Sequence, residues 1–267
     1  MTSQSEKAQA FEALHQQGTF VIPNPYDTGS GVMLQSLGFK ALATTSAGYA
    51  QTLGRLDGQI SLKEKLEHCR SLCAATEIPV AADFENGFAD SPEDAARNLL
   101  KVAEAGVVGA SIEDFSGSEI YDFNLAVDRI AACAQAVSAL DFPFTLTARA
   151  ENLLRGVNDM DDTIKRLQAF QAAGADVLYS PGLATLEQIQ LVMDSVDKPI
   201  NVLVAFIPDI PVAEYTNIGV RRLSIGGGLA NYVIGALVNA AREMSESGSF
   251  SWMKEAASGG SIKKMLS

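Results

Sequence analysis

The stretch PVAADFENGFADSPEDAARNLLKVAEAGVVGASIED, residues 79–114, decides the fold. It opens on a short apolar run of strand type, PVAADF (79–84). An amphipathic stretch over 91–105 follows, with helical spacing. Gly106 then supplies a helix C-cap, and GASIED (109–114) repeats the strand pattern. Strand, helix and strand at this spacing imply a parallel pair joined by a crossover helix.

The same unit recurs in both directions along the chain. Further strand candidates are TFVIPN (19–24), KALATT (40–45), FTLTAR (144–149), DVLYSP (176–181), INVLVA (200–205) and RRLSIG (221–226). Helix candidates lie between and after them, at 27–37, 61–77, 123–140, 158–173, 185–195, 211–218 and 227–246. Eight such units predict a closed (β/α)8 TIM barrel. An open doubly wound sheet is the alternative, but no GxGxxG follows the first strand. No linker or composition break divides the chain, so 1–267 reads as one barrel domain. Residues 247–267, rich in Gly and Ser, read as a C-terminal tail or an arm that packs on a neighbouring subunit.

The 267 residues are 47% hydrophobic and 19% charged, enough to bury a large core in one α/β barrel. A formal net charge of -12 argues against nucleic acid and anionic membrane surfaces. It does not exclude an anionic substrate, because one metal ion and one arginine can reverse the local field. Cys69, Cys73 and Cys133 form no disulfide framework or zinc pattern, which fits a reducing compartment. The polar N-terminus has no signal-peptide pattern, and no run approaches a membrane span. A cytoplasmic enzyme is expected.

In a barrel of this type the catalytic groups sit at the C-terminal ends of the strands. There the sequence places Asn24-Pro25-Tyr26-Asp27, Thr44-Thr45-Ser46-Ala47-Gly48-Tyr49 with Asp57 beyond, Asp83-Phe84-Glu85, Glu113-Asp114 and Arg149-Ala150-Glu151, while Asn201 stands at the start of the seventh strand. Asp57, Asp83, Glu85 and Glu113 would converge on one mouth, where unpaired carboxylates repel. A hard divalent cation resolves that conflict, and oxygen-only ligands suit Mg2+ or Mn2+. Arg149 adds a forked cation able to hold a carboxylate. Bland readings stand beside these. Asp27 serves equally as a helix N-cap, Asp57 as a turn residue, and Glu85 as part of a solvated face. His15 and His68 fall in helical stretches away from the mouth and read as surface or packing residues. The turn Ser224-Ile225-Gly226-Gly227-Gly228 fits either a phosphate cradle or a tight turn before the last helix.

Taken together, NPYD (24–27), TTSAG (44–48), the Asp57 loop, DFENGF (83–88), SIED (111–114), TARAEN (147–152), DVLYSPG (176–182) and GVRRLSIGGGLA (219–230) resemble the isocitrate lyase/phosphoenolpyruvate mutase superfamily, in its order and spacing over nearly the whole chain. The resemblance implies a barrel whose eighth helix packs on a neighbouring subunit, in a homo-oligomer that is a tetramer or a dimer. It implies a Mg2+-bound small 2-oxo acid and a shared pyruvate-like enolate. By motif position, Ser46, Ala47 and Gly48 would hold the substrate carboxylate, with Tyr26 and Asn201 as further substrate contacts. Asp83 would bind the metal directly, and Asp57, Glu85 and Glu113 mostly through water. Arg149 would contact the substrate oxygens.

The departures narrow the chemistry. The family's lyases carry a Lys-x-Cys-Gly-His type loop after the fourth strand, and its phosphonate mutases use lysine and asparagine there. This chain has Phe115-Ser116-Gly117-Ser118-Glu119-Ile120-Tyr121-Asp122. The second acid of the third-strand motif is Glu85 rather than the usual aspartate. Pro181 stands where lyases place a glutamate, and Phe206 where relatives have a smaller residue, which predicts a smaller or more apolar pocket on that side. The expectation is therefore a Mg2+-dependent lyase, cleaving a C–C bond or decarboxylating an oxaloacetate-like acid, with Tyr49, Tyr121 or Tyr179 as proton donor. Alternatives are a phosphonopyruvate-type P–C enzyme, a phosphate-substrate aldolase or isomerase, and a non-catalytic 2-oxo-acid-binding barrel.

Overall fold

The computed structural model describes residues 2–267. Eight parallel strands alternate with helices around one axis. The strands are β1 (Phe20–Ile22), β2 (Leu42–Ala43), β3 (Val80–Asp83), β4 (Gly109–Glu113), β5 (Thr145–Arg149), β6 (Val177–Tyr179), β7 (Ile200–Leu203) and β8 (Arg222–Ser224). The helices between them are α2 (Thr28–Ser36), α3 (Ser46–Thr52), α4 (Leu62–Ala75), α5 (Pro92–Glu104), α6 (Phe123–Val137), α7 (Met160–Ala172), α8 (Leu186–Met193) and α9 (Val212–Asn217), with α1 (Gln4–Leu14) ahead of β1 and α10 (Gly228–Arg242) and α11 (Gly259–Leu266) after β8.

The deciding stretch folds as its residues dictate. Ser91 caps α5 by accepting from the Asp94 amide, Pro92 opens the helix, and Glu93 and Asp94 face its positive end. Ala95, Ala96, Leu99, Val102 and Ala103 bury one stripe against the barrel. Each fully buried Leu or Val there contributes roughly 1.5–3 kcal/mol. Ser61 and Glu64 form a capping box at the start of α4.

Pairing runs in order from β2 through β8 and on to β1. Between β1 and β2 the Ala43 amide donates to the Pro23 carbonyl at 3.1 Å, and the Asn24 side chain donates to the Ala43 and Thr44 carbonyls at 3.1 Å each. These bonds draw the eight-stranded sheet into a nearly closed barrel. Register partners face the same side of a parallel sheet. One inward row therefore reads Glu113, Arg149, Tyr179, Asn201, Arg222 across β4 to β8. Another reads Asp83, Ser111, Thr147 across β3 to β5. Barrels of this type usually fill the axis with Val, Ile and Leu; this axis is polar, and small at Ala43, Ala81 and Ala110.

The floor is closed by α1. Phe11 is fully buried with Ala8, Ile22, Ala41, Ala81 and Val108. Its ring meets His15 at 4.8 Å and Phe20 at 6.4 Å, both edge-on. Gly109 makes room for it, since a Cβ there would lie 3.0 Å from the Phe11 ring and 2.8 Å from the Thr145 carbonyl.

The structure adds to these expectations and decides between several of them. Residues 46–52, which belong to no expected helix, form α3, capped by Thr45. Asp27 is an N-cap and accepts from the Ser30 amide at 2.7 Å. His15 and His68 are buried packing residues rather than surface ones. The last long helix ends at Arg242 in a wider turn over Glu243–Ser247, and the tail folds into α11, which lies against α2 of the same chain. Phe206 is 42% exposed in a turn after β7 and lines neither cavity of the mouth. No helix among the described residues is long and apolar enough to cross a membrane.

Candidate active site

The strand-3 end and the α3 start meet first. The Ser46 amide donates to Asp83 Oδ2 at 2.9 Å. The Ser46 hydroxyl lies 2.9 Å from the same oxygen and 3.0 Å from Asp57 Oδ1. The Asp83 amide donates to Thr44 Oγ1 at 3.0 Å, and Lys65 Nζ donates to that same oxygen at 2.9 Å. Lys65 is fully buried on α4 and brings its charge up behind Asp83. Burial works to raise the Asp83 carboxyl, but Arg149, Lys65 and the Ser46 bonds outweigh it and hold it below its ordinary value.

Beyond Asp83 the chain turns sharply. Glu85 has φ +47° and Phe88 φ +56°, left-handed conformations that side chains rarely adopt. Gly87, at φ +77°, sits too close to Ala95 to carry a side chain, with 3.2 Å to the Ala95 Cβ. The loop is held in place from outside. The Glu113 amide donates to the Glu85 carbonyl at 2.9 Å. Buried Arg129 on α6 donates to the carbonyls of Ala89 at 2.6 Å, of Asp90 at 2.5 Å, and of Asn86. Tyr121 donates to Asp90 and accepts from Asn86. This scaffold keeps Glu85 facing the mouth, where its Oε1 is buried without a hydrogen-bond partner. Burial, then the charges of Asp83 and Asp57, push the Glu85 carboxyl up to about 7.

Arg149 is the hub. Its Nη1 lies 3.1 Å from Asp83 Oδ1 and 3.2 Å from Glu113 Oε2, and its Nε donates to Glu151 Oε1 at 2.5 Å. Glu151 is fully buried and also accepts from Arg155 Nε at 2.9 Å. Arg155 stacks over Phe115 at 3.8 Å and reaches within 3.9 Å of Glu113. Burial raises the Glu113 carboxyl; Arg149 opposes that shift, and Glu151 and Asp83 add to it. Three carboxylates around one guanidinium leave a net negative centre, and one of them responds by favouring its protonated form.

A cavity of about 160 Å³ runs from Ser46, Asp57, Asp83 and Arg149 down into the barrel. A second, of about 330 Å³, lies against the rim between Glu85, Glu113, Phe88, Phe115 and Arg155. The structure thus brings together Ser46, Ala47, Asp57, Asp83, Glu85, Glu113 and Arg149, with Asn201 deeper in the wall. It does not bring Tyr49 there. Tyr49 projects from α3 onto His68, ring on ring at 4.0 Å. Tyr26 packs behind Gly48, where a Cβ would lie 3.0 Å from its own. Gly48 has its amide bonded to Thr45 Oγ1 at 3.2 Å. Of the three candidate tyrosines, Tyr179 alone lines the mouth; Tyr121 holds the 86–90 loop. The strand-8 turn has its Ile225 and Gly226 amides committed to Asn24 Oδ1 at 3.0 and 2.9 Å, so those two are taken up in holding the turn.

Sequence reasoning missed Lys65, Arg155 and the bridging role of Glu151. Nothing in the pattern of 61–77 separates Lys65 from its solvated neighbours. Arg155 and Glu151 were legible only as an i,i+4 pair, a spacing that surface helices use freely.

Among the described residues, no three carboxylate, thiol or imidazole groups already meet as a closed ligand set. The donors present are carboxylate and hydroxyl oxygens, one of them the unbonded Glu85 Oε1. That set fits a hard divalent cation that takes one or two protein oxygens and keeps its other places for water.

The whole chain can be compared with known proteins. A family model described as phosphoenolpyruvate phosphomutase matches residues 11–245. An uncharacterized Mycobacterium tuberculosis protein is 29% identical over 239 residues, covering 89% of each chain. The 2-methylisocitrate lyase of Halalkalibacterium halodurans is 26% identical over 86% of this chain and 74% of its own. A solved structure from Burkholderia cenocepacia J2315, provisionally assigned as a lyase/mutase, superposes with a TM-score of 0.96 at 46% identity, covering 99% of this chain and 96% of that one.

Proposed function

The chain belongs to the phosphoenolpyruvate phosphomutase family, within the isocitrate lyase/phosphoenolpyruvate mutase superfamily of lyases, and from that premise we propose that it is a Mg2+-dependent lyase of a small 2-oxo acid. It breaks a C–C bond next to a pyruvate-like enolate, either by retro-aldol cleavage or by decarboxylation of an oxaloacetate-type acid. The observation that carries this reading is the convergence of Asp83, Glu113 and Glu151 on Arg149, beside an unbonded Glu85 oxygen in the rim cavity.

Asp83 would hold the cation directly, and Asp57, Glu85 and Glu113 would hold its waters. Mn2+ would serve in the same place. The cation would supply positive charge against the charge that develops on the substrate oxygens. The Ser46 amide and hydroxyl, with the Ala47 amide beside them, are the donors a substrate carboxylate would take over. The Gly48 amide, bonded to Thr45, contributes through the α3 turn instead. Arg149, with its ring of acids, presents a fixed donor to the substrate oxygens at no cost in reorganisation. Burial raises the Tyr179 phenol to about 12, so it keeps its proton at neutral pH. It can pass that proton to the carbon end of the enolate while the nearby Arg149 guanidinium, 5.3 Å from its ring, steadies the phenolate.

The loop after β4 supplies no acid to this scheme. It is a short turn closed by a Phe115–Ile120 bridge and pinned by the Ser116 hydroxyl. A lyase that uses Tyr179 asks least of it. The exposed row Tyr232, Val233, Ile234, Leu237 and Val238 on α10 supports an oligomer in which a neighbouring copy covers that helix.

The test is a panel of 2-oxo acids assayed for pyruvate release, with Mg2+ and with EDTA. Turnover should require the metal, and Asp83→Ala should abolish it while the protein stays folded. Full turnover by Asp83→Ala, or turnover indifferent to EDTA, overturns the reading.

A further inference from the structure

A second arginine faces the barrel axis below the mouth. Arg222 is 6% exposed. Its Nε donates to Asn201 Oδ1 at 2.9 Å, its Nη2 donates to Thr147 Oγ1 at 3.0 Å, and its Nη1 lies 3.4 Å from His15 Nε2. His15 Nδ1 lies 2.9 Å from the Phe11 carbonyl, so Nδ1 carries the proton and Nε2 offers Arg222 a lone pair. Burial, then the Arg222 charge, holds the His15 ring at about 3, which keeps it neutral. All three partners are thus uncharged. Among the described residues Arg222 has no carboxylate partner, and burial lowers it to about 10 against the influence of Tyr179.

A guanidinium carries five N–H donors, and three are matched here. Burying a full charge without a counter-charge is costly. The chain had acids to spare, with 32 Asp and Glu against 20 Lys and Arg, yet placed none beside this group. What lies above Arg222 is the cavity of about 160 Å³, walled by Ala43, Ala81, Ala110, Ser111 and Thr147. That space is roomy enough for several waters, or for one small anion with its waters. Thr147 accepts from Arg222, so its hydroxyl hydrogen remains to donate, and the residue lines the cavity. Ser111, its register partner, faces the same space. Thr147 stands two residues below Arg149 on β5, about 6.6 Å along the strand.

We propose that the barrel interior beneath the acid cluster is an anion site, in which Arg222 supplies the charge and Thr147 and Ser111 supply hydroxyl donors to a monoanion no larger than a carboxylate. A free inorganic anion and one carboxylate arm of a bound diacid share that chemistry. The site does not depend on the reaction proposed above, because the inorganic source needs no turnover.

Two arms test it. In the first, crystals of the full chain are soaked in bromide. Anomalous density within hydrogen-bonding distance of the Arg222 guanidinium, lost in Arg222→Gln, establishes the site with a free anion. A peak undiminished in Arg222→Gln is an adventitious ion and overturns it. In the second, the Mg2+-loaded protein is titrated with pyruvate and with a four-carbon 2-oxo diacid. A tenfold or greater weakening confined to the diacid in Arg222→Gln assigns the site to a substrate carboxylate. No bromide at Arg222 in the wild type, together with equal or no change for the two acids, overturns the proposal. If Arg222→Gln does not fold, Ser111→Ala replaces it in both arms, since it removes a proposed donor to the anion and leaves the buried charge in place.

Discussion

Arg149 and Arg222 stand three strands apart in one register row, both face the barrel axis, and both are largely out of water. Burial alone would lower each. Arg149 is nevertheless driven well above its ordinary value because Glu113, Glu151 and Asp83 surround it. Arg222 falls to about 10 among an amide, a hydroxyl and a neutral imidazole. The same residue type, in the same register row and similarly buried, therefore does opposite things. At the mouth it binds an excess of acids into a rigid centre. At the floor it keeps its charge unspent. The environment across the barrel, not the residue, sets the sign.

The contrast can be broken at several points. Removing Asp83 attacks chemistry at the mouth, and Asp83→Ala should lower kcat/KM on the order of a thousandfold or more, with the thermal midpoint changed little; calorimetry beside kinetics separates the two. Arg149→Met should damage both, because three buried acids lose their shared cation. A loss of about 3–5 kcal/mol in denaturant unfolding is expected, and an unchanged midpoint would show that the acids do not need it. Phe11→Ala should do the reverse of Asp83→Ala. It opens the floor under His15 and costs about 3–5 kcal/mol of stability, while kcat at a permissive temperature is kept. Lys65→Met removes the charge behind Asp83 and should weaken metal affinity or turnover by about 10- to 100-fold, read by Mg2+ titration.

A further effect is one of pH. Glu85 rises from 4.5 to about 7 on folding, so the metal-free native state holds a proton that the unfolded chain releases earlier. The stability this lends is fully present below about pH 4.5 and is lost as pH climbs through about 7. Metal-free protein should therefore become less stable over that window, and Mg2+ should reduce the slope by stabilising the ionised form. Urea midpoints across the window, with and without Mg2+, check it. A midpoint that rises with pH in the metal-free protein would mean that Glu85 is not the group that responds.

The same contrast marks how far the sequence could be read. The alternation of strand and helix patterns from PVAADF onward required a parallel sheet of eight units, and the placing of Ser46, Asp57, Asp83, Glu85, Glu113 and Arg149 at strand ends put them at one mouth. Local spacing suffices for that, because strand period and crossover length are properties of neighbouring residues. It could not separate Tyr179, which lines the cavity, from Tyr49, which turns away on a helix the pattern did not reveal. It could not see that Lys65 is buried behind Thr44, that α1 brings His15 under the barrel, or that Arg222 meets no acid. Those facts depend on the register with which eight strands close and on which helix face meets them. Groups as far apart in the chain as His15 and Arg222 become neighbours only then, so the charge balance along the axis was decided by tertiary structure alone.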